Sequence, residues 1–338
     1  MQVSGHTQTI ALIGSPVEHS LSPAMHTQSF NELGVDCVYL AYDIEPQDLE
    51  SAAVGMKKMG FAGYNVTMPH KTFIPKYLDE LSDAAELMGA VNTVAIKQGK
   101  AIGHNTDGAG FMRNLKENGV DVIGKKITIV GAGGAGSAIY TQAALDGVDA
   151  IDVYNIKDKF FDVTAERVAK VAEKTGCKMR LIDLEDKESL KQSIAESALF
   201  VNATRVGMGD LADQSVILPD YLVDGIAVAD TVYEPRKTKL LKDAEAKGLK
   251  AISGLGMLLW RSLKIFGWVR KCPRSSLKRN SSTKGCCHRC LQRGPQWPIC
   301  SKSSLALIWQ GSQRKGFHHG NQTSSFWTQS RIEDSSRR

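Results

Sequence analysis

The chain has 338 residues, of which 42% are hydrophobic and 23% are charged, and its formal net charge is +6. This length is sufficient for two domains with separate cores, and the composition is that of an ordinary soluble globular protein. No apolar run has the length of a membrane span, and the first residues lack the basic and hydrophobic regions of a signal peptide. We therefore expect a cytoplasmic enzyme without membrane association.

The net charge conceals two unlike segments. Residues 261–338 contain 16 Lys and Arg against 2 Asp and Glu, whereas residues 1–260 contain 26 against 34. The overall positive charge therefore carries no information on nucleic-acid binding by the body of the protein. Only Cys37 and Cys177 precede residue 261. Two widely separated cysteines indicate a reducing compartment rather than a disulfide framework.

The first predicted strand covers residues 9–13 and leads through a loop into a helix at 24–33. Ser20 and Ser22 in this loop have two interpretations. Ser22 suits the N-cap of the helix, with Pro23 in its first turn. Alternatively, both hydroxyls lie at the carboxyl end of a strand, where open α/β sheets bind ligands. Two neutral donors at that edge can hold a small carboxylate.

Polar residues also follow the later strands of this half. Asn65, Thr67 and Lys71 crowd one strand end, which favours a site, although most lysines are solvated surface charges. Asp107 begins a helix and suits its N-cap, the commonest role of Asp at such a position. The predicted elements here are strands at 38–43, 63–68, 90–96 and 101–103, helices at 46–58, 72–77 and 83–88, and a helix that begins at 105–108 and runs to 118–119.

Residues 125–145 read KKITIVGAGGAGSAIYTQAAL. A β-branched strand, a G-x-G-x-x-G turn and a small-residue helix follow one another, which is the context that the dinucleotide-binding fingerprint requires. The first glycine allows the tight turn, the second lets backbone N–H groups approach a pyrophosphate, and the third allows close helix packing. The helix N-terminus adds N–H donors and a positive dipole end. The predicted cofactor-binding turn comprises Gly131, Ala132, Gly133, Gly134, Ala135 and Gly136.

The alternation of strands and helices over residues 127–252 predicts a parallel sheet with helices on both faces. Its second strand, at 150–154, ends where such proteins read the ribose of the dinucleotide. An acid at this position selects NAD, whereas a cation accommodates the 2′-phosphate of NADP. Because Lys157 and Asp158 are neighbours, this signal is mixed and leaves both cofactors open.

Five separated blocks occur in the order GSPVEHSLSP, NVTMPHK, AVNT with NTDG, GAGGAG and GLGMLLW. From about Ile10 to Trp260 the chain thereby resembles the shikimate dehydrogenase family, including its quinate/shikimate dehydrogenase branch. The resemblance implies an α/β fold of two domains with an irregular C-terminal tail. These are an N-terminal α/β substrate domain at 1–107, to which a helix at 258–270 returns, a Rossmann NAD(P)-binding domain at 108–257, and the tail at 271–338.

The resemblance also implies an activity. The family reduces 3-dehydroshikimate reversibly to shikimate with NAD or NADP, in the shikimate pathway of chorismate and aromatic amino-acid biosynthesis. Quinate is an additional substrate of the branch. The expected partner is therefore a small-molecule substrate, shikimate or quinate. The oligomeric state stays open, with a homodimer among the alternatives.

The resemblance assigns roles to individual residues. Lys71 and Asp107 are the expected catalytic pair: a Lys ammonium can donate the proton or polarise the ketone, and a nearby carboxylate holds it in place. The expected substrate contacts are Ser20, Ser22, Thr67, Asn92, Asn105 and Tyr233. Besides the glycine-rich turn, the expected cofactor contacts are Asn155, Lys157, Asp158, Thr204, Val206, Met208, Gly254 and Met257.

Two positions depart from the family pattern. GLGMLLW is followed by Arg261-Ser262-Leu263 instead of Gln-Gly-Ala, so Arg261 replaces a Gln that contacts substrate. Asp158 follows the segment Asn155-Ile156-Lys157, which is more like the quinate/shikimate branch, where NAD is accepted. This second departure favours NAD over NADP.

From about residue 270 the helical and strand patterns are lost, and the basic, Ser-rich composition is typical of a disordered or poorly packed segment. Its cysteines lack the paired spacing of zinc ligands, so we expect no metal site. No aromatic residues are spaced to stack bases, so we expect no specific nucleic-acid partner. The abrupt loss of the family pattern inside a helix suggests a shifted reading frame near codon 261, which resequencing of the gene tests.

Two alternative functions remain open. One is a non-catalytic or inactivated nucleotide-binding protein of the same fold. The other is a different Lys-dependent Rossmann dehydrogenase, such as a methylenetetrahydrofolate dehydrogenase. The paired serines and the Asn-Thr-Asp segment argue against the second, and the presence of both Lys71 and Asp107 favours catalysis.

Overall fold

The computed structural model describes residues 2–261, and its strands form two six-stranded sheets. The predictions for the tail at 271–338, for the cysteines from Cys272 onward and for most of the helix at 258–270 fall outside the described residues. The suggested frameshift concerns the same segment. No helix among residues 2–261 is long and apolar enough to cross a membrane.

The first sheet is mixed and belongs to the N-terminal half. Its strands follow the order β2-β1-β3-β5-β6-β4, in which β5 is antiparallel to both β3 and β6 and the remaining pairs are parallel. The elements are β1 (Gln8–Gly14), α1 (Ser22–Leu33), β2 (Cys37–Asp43), α2 (Leu49–Lys58), β3 (Gly63–Val66), β4 (Glu80–Leu81), α3 (Asp83–Met88), β5 (Thr93–Lys97) and β6 (Lys100–His104).

Strand β1 is buried on both faces because helices cover the two sides of the sheet. Ile10 and Leu12 pack in one cluster with Phe30 of α1, whereas Ala11 and Ile13 pack in another with residues of α2. Alternate residues of a strand point to opposite faces, so a near-continuous apolar run is what this position requires. The carboxyl ends of β1, β3 and β6 consequently share one edge of the sheet.

The second sheet is entirely parallel, which confirms the predicted fold class. Its order β9-β8-β7-β10-β11-β12 is that of the doubly wound dinucleotide-binding fold. The elements are α4 (Asp107–Glu117), β7 (Lys126–Val130), α5 (Gly134–Leu145), β8 (Ala150–Asn155), α6 (Phe161–Thr175), β9 (Lys178–Asp183), α7 (Lys187–Ala195), β10 (Leu199–Asn202), β11 (Ala227–Asp230), α8 (Lys239–Ala246) and β12 (Lys250–Ile252).

Helix α4 packs closely against two other helices through glycines. A Cβ on Gly108 would lie 2.1 Å from the carbonyl oxygen of Ala138 in α5. A Cβ on Gly110 would lie 2.7 Å from the backbone nitrogen of Arg261, in the last described helix at 255–261. Contacts under 3.0 Å leave no room for a side chain, so these glycines permit the close approach of the helices. This packing brings Arg261 to the beginning of α4.

Several predicted elements differ in detail. The predicted helix at 72–77 is instead two short 3₁₀ turns, His70–Thr72 and Ile74–Tyr77, and that at 46–58 begins with a 3₁₀ turn at Pro46–Asp48. Strand β5 begins at Thr93 rather than at residue 90. Proline in each 3₁₀ segment or just before it removes a backbone donor, which favours a short turn over a full helix.

Candidate functional site

Three charged side chains from distant parts of the chain meet at the carboxyl edge of the first sheet. Lys71 Nζ lies 3.7 Å from Asp107 Oδ2, and Arg261 Nη1 lies 2.9 Å from Asp107 Oδ1. A hydrogen bond from Val91 N to the backbone carbonyl of Lys71, at 2.8 Å, fixes the backbone at this position. The structure therefore brings the predicted catalytic pair together and adds Arg261 to it.

Asp107 is ionised although it is only 9% exposed. Burial acts to raise the pKa of its carboxyl, but the positive charges of Arg261 and Lys71, with hydrogen bonds from Arg261 and Asn92, hold the pKa below its usual range. The carboxylate can therefore act as a fixed negative charge and a hydrogen-bond acceptor at neutral pH.

Asn92 and Asn105 are buried beside Asp107, and both fix the turn that carries it. Asn92 Oδ1 accepts a hydrogen bond from Thr106 N at 3.0 Å, and Asn105 Oδ1 accepts one from Asp107 N at 3.2 Å. Asn105 Nδ2 donates to Ala90 O at 3.1 Å. The two amides are thus already engaged in holding Asp107, and their contact with substrate hydroxyls stays a prediction.

Ser20 and Ser22 lie at the carboxyl end of β1 and connect to a polar chain that crosses the sheet. Ser22 is a polar neighbour of Tyr39, whose Oη donates to Asn65 Oδ1 at 2.7 Å. Ser20 Oγ accepts from Ser22 N at 3.3 Å. Thr67 is half-buried at the end of β3 on the same edge. The serines, Thr67 and the charged cluster therefore occupy the ends of neighbouring strands.

The N-cap interpretations of Ser22 and Asp107 are wrong. α1 begins at Ser22 with Leu21 as its N-cap, and α4 begins at Asp107 with Thr106 as its N-cap. Neither cap side chain makes a capping hydrogen bond. Since Ser22 and Asp107 each stand one residue inside the helix, their side chains interact outside it, with Tyr39 and with the two cations respectively.

The glycine-rich turn is tightly packed at its first and third glycines and open at its second. A Cβ on Gly131, whose φ is +100°, would lie 2.8 Å from Thr204 Cγ2, and a Cβ on Gly136 would lie 1.9 Å from Gly131 O. A Cβ on Gly133 would meet nothing within 4 Å. Gly133 and its neighbours thus leave open space at the N-terminus of the 12-residue helix α5. These residues fit a dinucleotide.

The end of β8 adjoins the same turn. Asn155 Oδ1 accepts a hydrogen bond from Ala132 N at 3.0 Å, which ties the turn to the strand end. Lys157 and Asp158 are both exposed, and Asp158 Oδ1 accepts from Phe160 N at 3.0 Å. A carboxylate and an ammonium are thus both accessible where the ribose would lie, so the geometry favours neither cofactor.

The loops after β10 and β12 carry the residues predicted near the nicotinamide, Val206, Met208 and Gly254, and the loop after β11 carries the predicted substrate contact Tyr233. Met208 and Tyr233 are each 43% exposed, and Val206 is half-buried. Gly254 allows close approach of its loop, since its Cβ would lie 2.3 Å from Thr231 O. Met257 is 7% exposed and packs in the main core cluster, so it offers little surface to a cofactor.

Three polar residues of this region were missed by sequence reasoning. Tyr39 is buried in β2, Asn202 is the last residue of β10, and Asp230 is the last residue of β11. The signal for the latter two is visible in the segments LFVN and AVAD, in which an apolar strand ends in a buried polar residue. Tyr39 carries a weaker signal, because a buried Tyr hydroxyl requires a partner that the sequence does not identify.

Comparison with known proteins identifies relatives of this chain. Residues 12–94 match the model of the shikimate dehydrogenase substrate binding domain. The shikimate dehydrogenase (NADP(+)) of Listeria monocytogenes serotype 4b (strain F2365) is 50% identical over 273 residues, which are 80% of this chain and 94% of the relative.

Solved structures extend the comparison to the whole fold. Shikimate 5-dehydrogenase from Listeria monocytogenes in complex with shikimate and NAD is 50% identical with a TM-score of 0.77, covering 80% of this chain and 94% of that chain. Quinate dehydrogenase from Corynebacterium glutamicum in complex with NAD is 30% identical with a TM-score of 0.69, covering 78% and 93% respectively.

Proposed function

The chain belongs to the shikimate dehydrogenase family, and we propose that it catalyses the reversible, NAD(P)-dependent reduction of 3-dehydroshikimate to shikimate. This reaction is a step of the shikimate pathway, which leads to chorismate and the aromatic amino acids. The observation that carries the proposal is the pairing of Lys71 with the ionised Asp107, 3.7 Å apart on one sheet edge.

Lys71 transfers the proton at the substrate oxygen. In the direction of reduction its ammonium donates to the developing alkoxide, and in the direction of oxidation the neutral amine accepts the hydroxyl proton. Asp107 keeps the ammonium in place through its negative charge. When bound, the nicotinamide cofactor supplies or accepts the hydride. Proton transfer by a positioned side chain contributes roughly 10²- to 10⁴-fold to the rate.

The substrate is held by polar groups along the same edge. Ser20 and Ser22 present two hydroxyls for the carboxylate, with Tyr39 as a polar neighbour of Ser22. The remaining substrate contacts of the proposal donate to or accept from the ring hydroxyls and are Thr67, Asn92, Asn105 and Tyr233. The buried amides suit this role because their backbone partners already fix their orientation.

The enzyme accepts both NAD and NADP in this proposal. NADP is supported by the name of the Listeria relative, shikimate dehydrogenase (NADP(+)), whereas the solved Listeria structure contains NAD. The preference for NAD that Asp158 favours finds no support in the names of the curated relatives. We infer that Lys157 and Asp158 together set the ratio of the two activities, since one attracts and the other repels a 2′-phosphate.

Quinate is a second substrate to be tested. It is supported by the 30% identical quinate dehydrogenase and by the acid after the second Rossmann strand. Shikimate remains the principal substrate, because the relatives at 50% identity are shikimate dehydrogenases.

A four-way assay tests the proposal. The purified chain is incubated with shikimate or quinate, each with NAD or NADP, and the absorbance of the reduced nicotinamide is followed. We expect turnover with shikimate and at least one cofactor. Failure of all four pairs would overturn the enzymatic function, and cofactor binding without turnover would then favour the non-catalytic nucleotide-binding alternative.

A further inference from the structure

A buried carboxylate outside the proposed catalytic pair joins two loops of the second domain. Asp230 is 1% exposed and accepts three hydrogen bonds, from Thr238 Oγ1 at 2.7 Å, Val232 N at 2.9 Å and Asn202 Nδ2 at 3.1 Å. No cation among residues 2–261 lies within salt-bridge distance of it. Burial of an unpaired carboxylate costs free energy unless hydrogen bonds compensate for the lost hydration. Asp230 therefore depends on these three donors.

Asn202 transmits the position of Asp230 to the loop after β10. Its Nδ2 also donates to Val206 O at 2.9 Å, and its Oδ1 accepts from Thr204 N at 3.0 Å and Thr204 Oγ1 at 2.7 Å. Thr204 Oγ1 in turn accepts from Val206 N at 3.0 Å. The amide of Asn202 thereby uses all four of its hydrogen-bonding positions, which fixes residues 203–206 in one conformation.

The other partners of Asp230 belong to the loop after β11. Val232 directly precedes Tyr233, and Thr238 caps α8 by accepting from Leu241 N. The two loops also touch, since a Cβ on Gly207, whose φ is +99°, would lie 3.1 Å from the methyl of Thr238. One buried carboxylate therefore holds both the loop of Val206 and the loop of Tyr233.

We propose that Asp230 and Asn202 are positioning residues that align the nicotinamide loop, which carries Val206 and Met208, with the substrate-side loop, which carries Tyr233. Neither residue touches the reactants, because both are fully buried. They act by fixing the backbone of the two loops that would contact the cofactor and the substrate. This inference rests on the proposed function, which identifies the two ligands as the nicotinamide cofactor and the substrate. The expected effect on cofactor binding can, however, be measured without turnover.

Thr238→Val is the first test, since it preserves the side-chain volume and deletes the hydroxyl that donates to Asp230 and also caps α8. The loss of a hydrogen bond to a charged group corresponds to a change of roughly ten- to hundredfold in an equilibrium constant. We expect the Kd for NADPH or NADH, measured by titration calorimetry, to rise by about that factor. Thr238→Ser keeps the hydroxyl and should restore the Kd to within about twofold of the original chain.

Ser193→Ala is the matched control. Ser193 Oγ also donates at 2.7 Å to a buried carboxylate of this domain, that of Asp152, which is 3% exposed within β8 and away from both loops. Its loss should lower the melting temperature and leave the cofactor Kd unchanged. Equal effects of Thr238→Val and Ser193→Ala on the Kd, or a change in melting temperature alone, would overturn the proposal.

A second variant covers the case in which Thr238→Val does not fold. Asn202→Ala removes the link between Asp230 and residues 203–206 but leaves the cap of α8 intact. We expect it to raise the cofactor Kd at least as much as Thr238→Val. An unchanged Kd in a folded Asn202→Ala protein would reject the positioning role, whereas weakened cofactor binding in the variants with no shikimate turnover by the original chain would reject the proposed function alone.

Discussion

Arg261 Nη1 lies 2.9 Å from Asp107 Oδ1, closer than Lys71 Nζ, which is 3.7 Å from the other oxygen of the same carboxylate. The first distance is a charge-assisted hydrogen bond and the second is not a hydrogen bond. The proposed catalytic carboxylate is thus bound more tightly by the residue that replaces the family Gln than by its proposed catalytic partner.

Arg261→Gln should increase activity, because the neutral amide releases Asp107 to Lys71 and the substrate. A hydrogen bond to a charged group contributes about 1.5–3 kcal/mol, so partial release predicts a rise in kcat/KM for shikimate of roughly three- to tenfold. Steady-state kinetics check this, and Arg261→Lys, which keeps the cation, is the control that should show no gain. A fall in kcat/KM in Arg261→Gln would instead show that Arg261 contributes to substrate binding or catalysis.

Lys71→Ala should abolish most turnover while cofactor binding is preserved. Loss of the proton donor predicts a fall in kcat of roughly 10²- to 10⁴-fold, with a smaller change in KM for shikimate. Lys57→Ala is a matched control, because Lys57 forms a surface ion pair with Asp79 in the same half of the chain. Near-normal kcat with a raised KM would show that Lys71 only binds substrate.

Substitutions at two glycines of the turn should change stability and cofactor binding independently. Gly136→Ala should destabilise the protein by about 1–3 kcal/mol, because the new Cβ would lie 1.9 Å from Gly131 O. Ala normally stabilises a helix relative to Gly, so destabilisation here reports the clash. Thermal unfolding measures this effect.

Gly133→Ala is the counterpart within the same turn. Nothing lies within 4 Å of the new Cβ, and φ is −68°, so the melting temperature should be unchanged. The methyl group would, however, occupy the open space proposed for the pyrophosphate, so the cofactor Kd should rise. A stable variant with unchanged cofactor affinity would place the pyrophosphate elsewhere.

The local parts of this architecture could be predicted from the sequence, and the long-range pairings could not. The strand, turn and helix around Gly131 form a contiguous pattern, and their existence follows from glycine conformations and apolar periodicity. The contact of Arg261 with Asp107 joins residues 154 positions apart. It depends on the packing of the last helix against Gly110, which no local pattern specifies.

Capping shows the same limit at short range. The sequence of Ser22-Pro23 favours an N-cap at Ser22, but α1 begins at Ser22 itself, with Leu21 as its N-cap. Helix ends are uncertain by one or two residues in any such prediction. Here the difference of one residue places Ser22 inside α1 instead of at its cap.

The charges at the ribose end should control the choice of cofactor. Asp158→Asn keeps the oxygen that accepts from Phe160 N but removes the negative charge. Less repulsion of the 2′-phosphate should raise the ratio of kcat/KM for NADP to that for NAD, by about tenfold if one close charge pair is involved. Lys157→Ala should lower the same ratio. Unchanged ratios in both variants would show that other residues contact the 2′-phosphate of NADP.

His26 should make the protein less stable in mild acid. Its ring stacks on Tyr39 at a centroid distance of 4.4 Å, and burial, reinforced by the charge of Arg261, lowers its pKa to about 4. The unfolded chain takes up this proton near pH 6.5, whereas the folded chain does not do so until about pH 4. The unfolding free energy should therefore fall as pH decreases through this window, by about 2 kcal/mol at pH 5 relative to pH 7 from this residue.

Urea unfolding at the two pH values measures the difference. His26→Phe, which keeps an aromatic ring against Tyr39 but does not titrate, should reduce it, and an equal difference in that variant would assign the acid sensitivity to other groups.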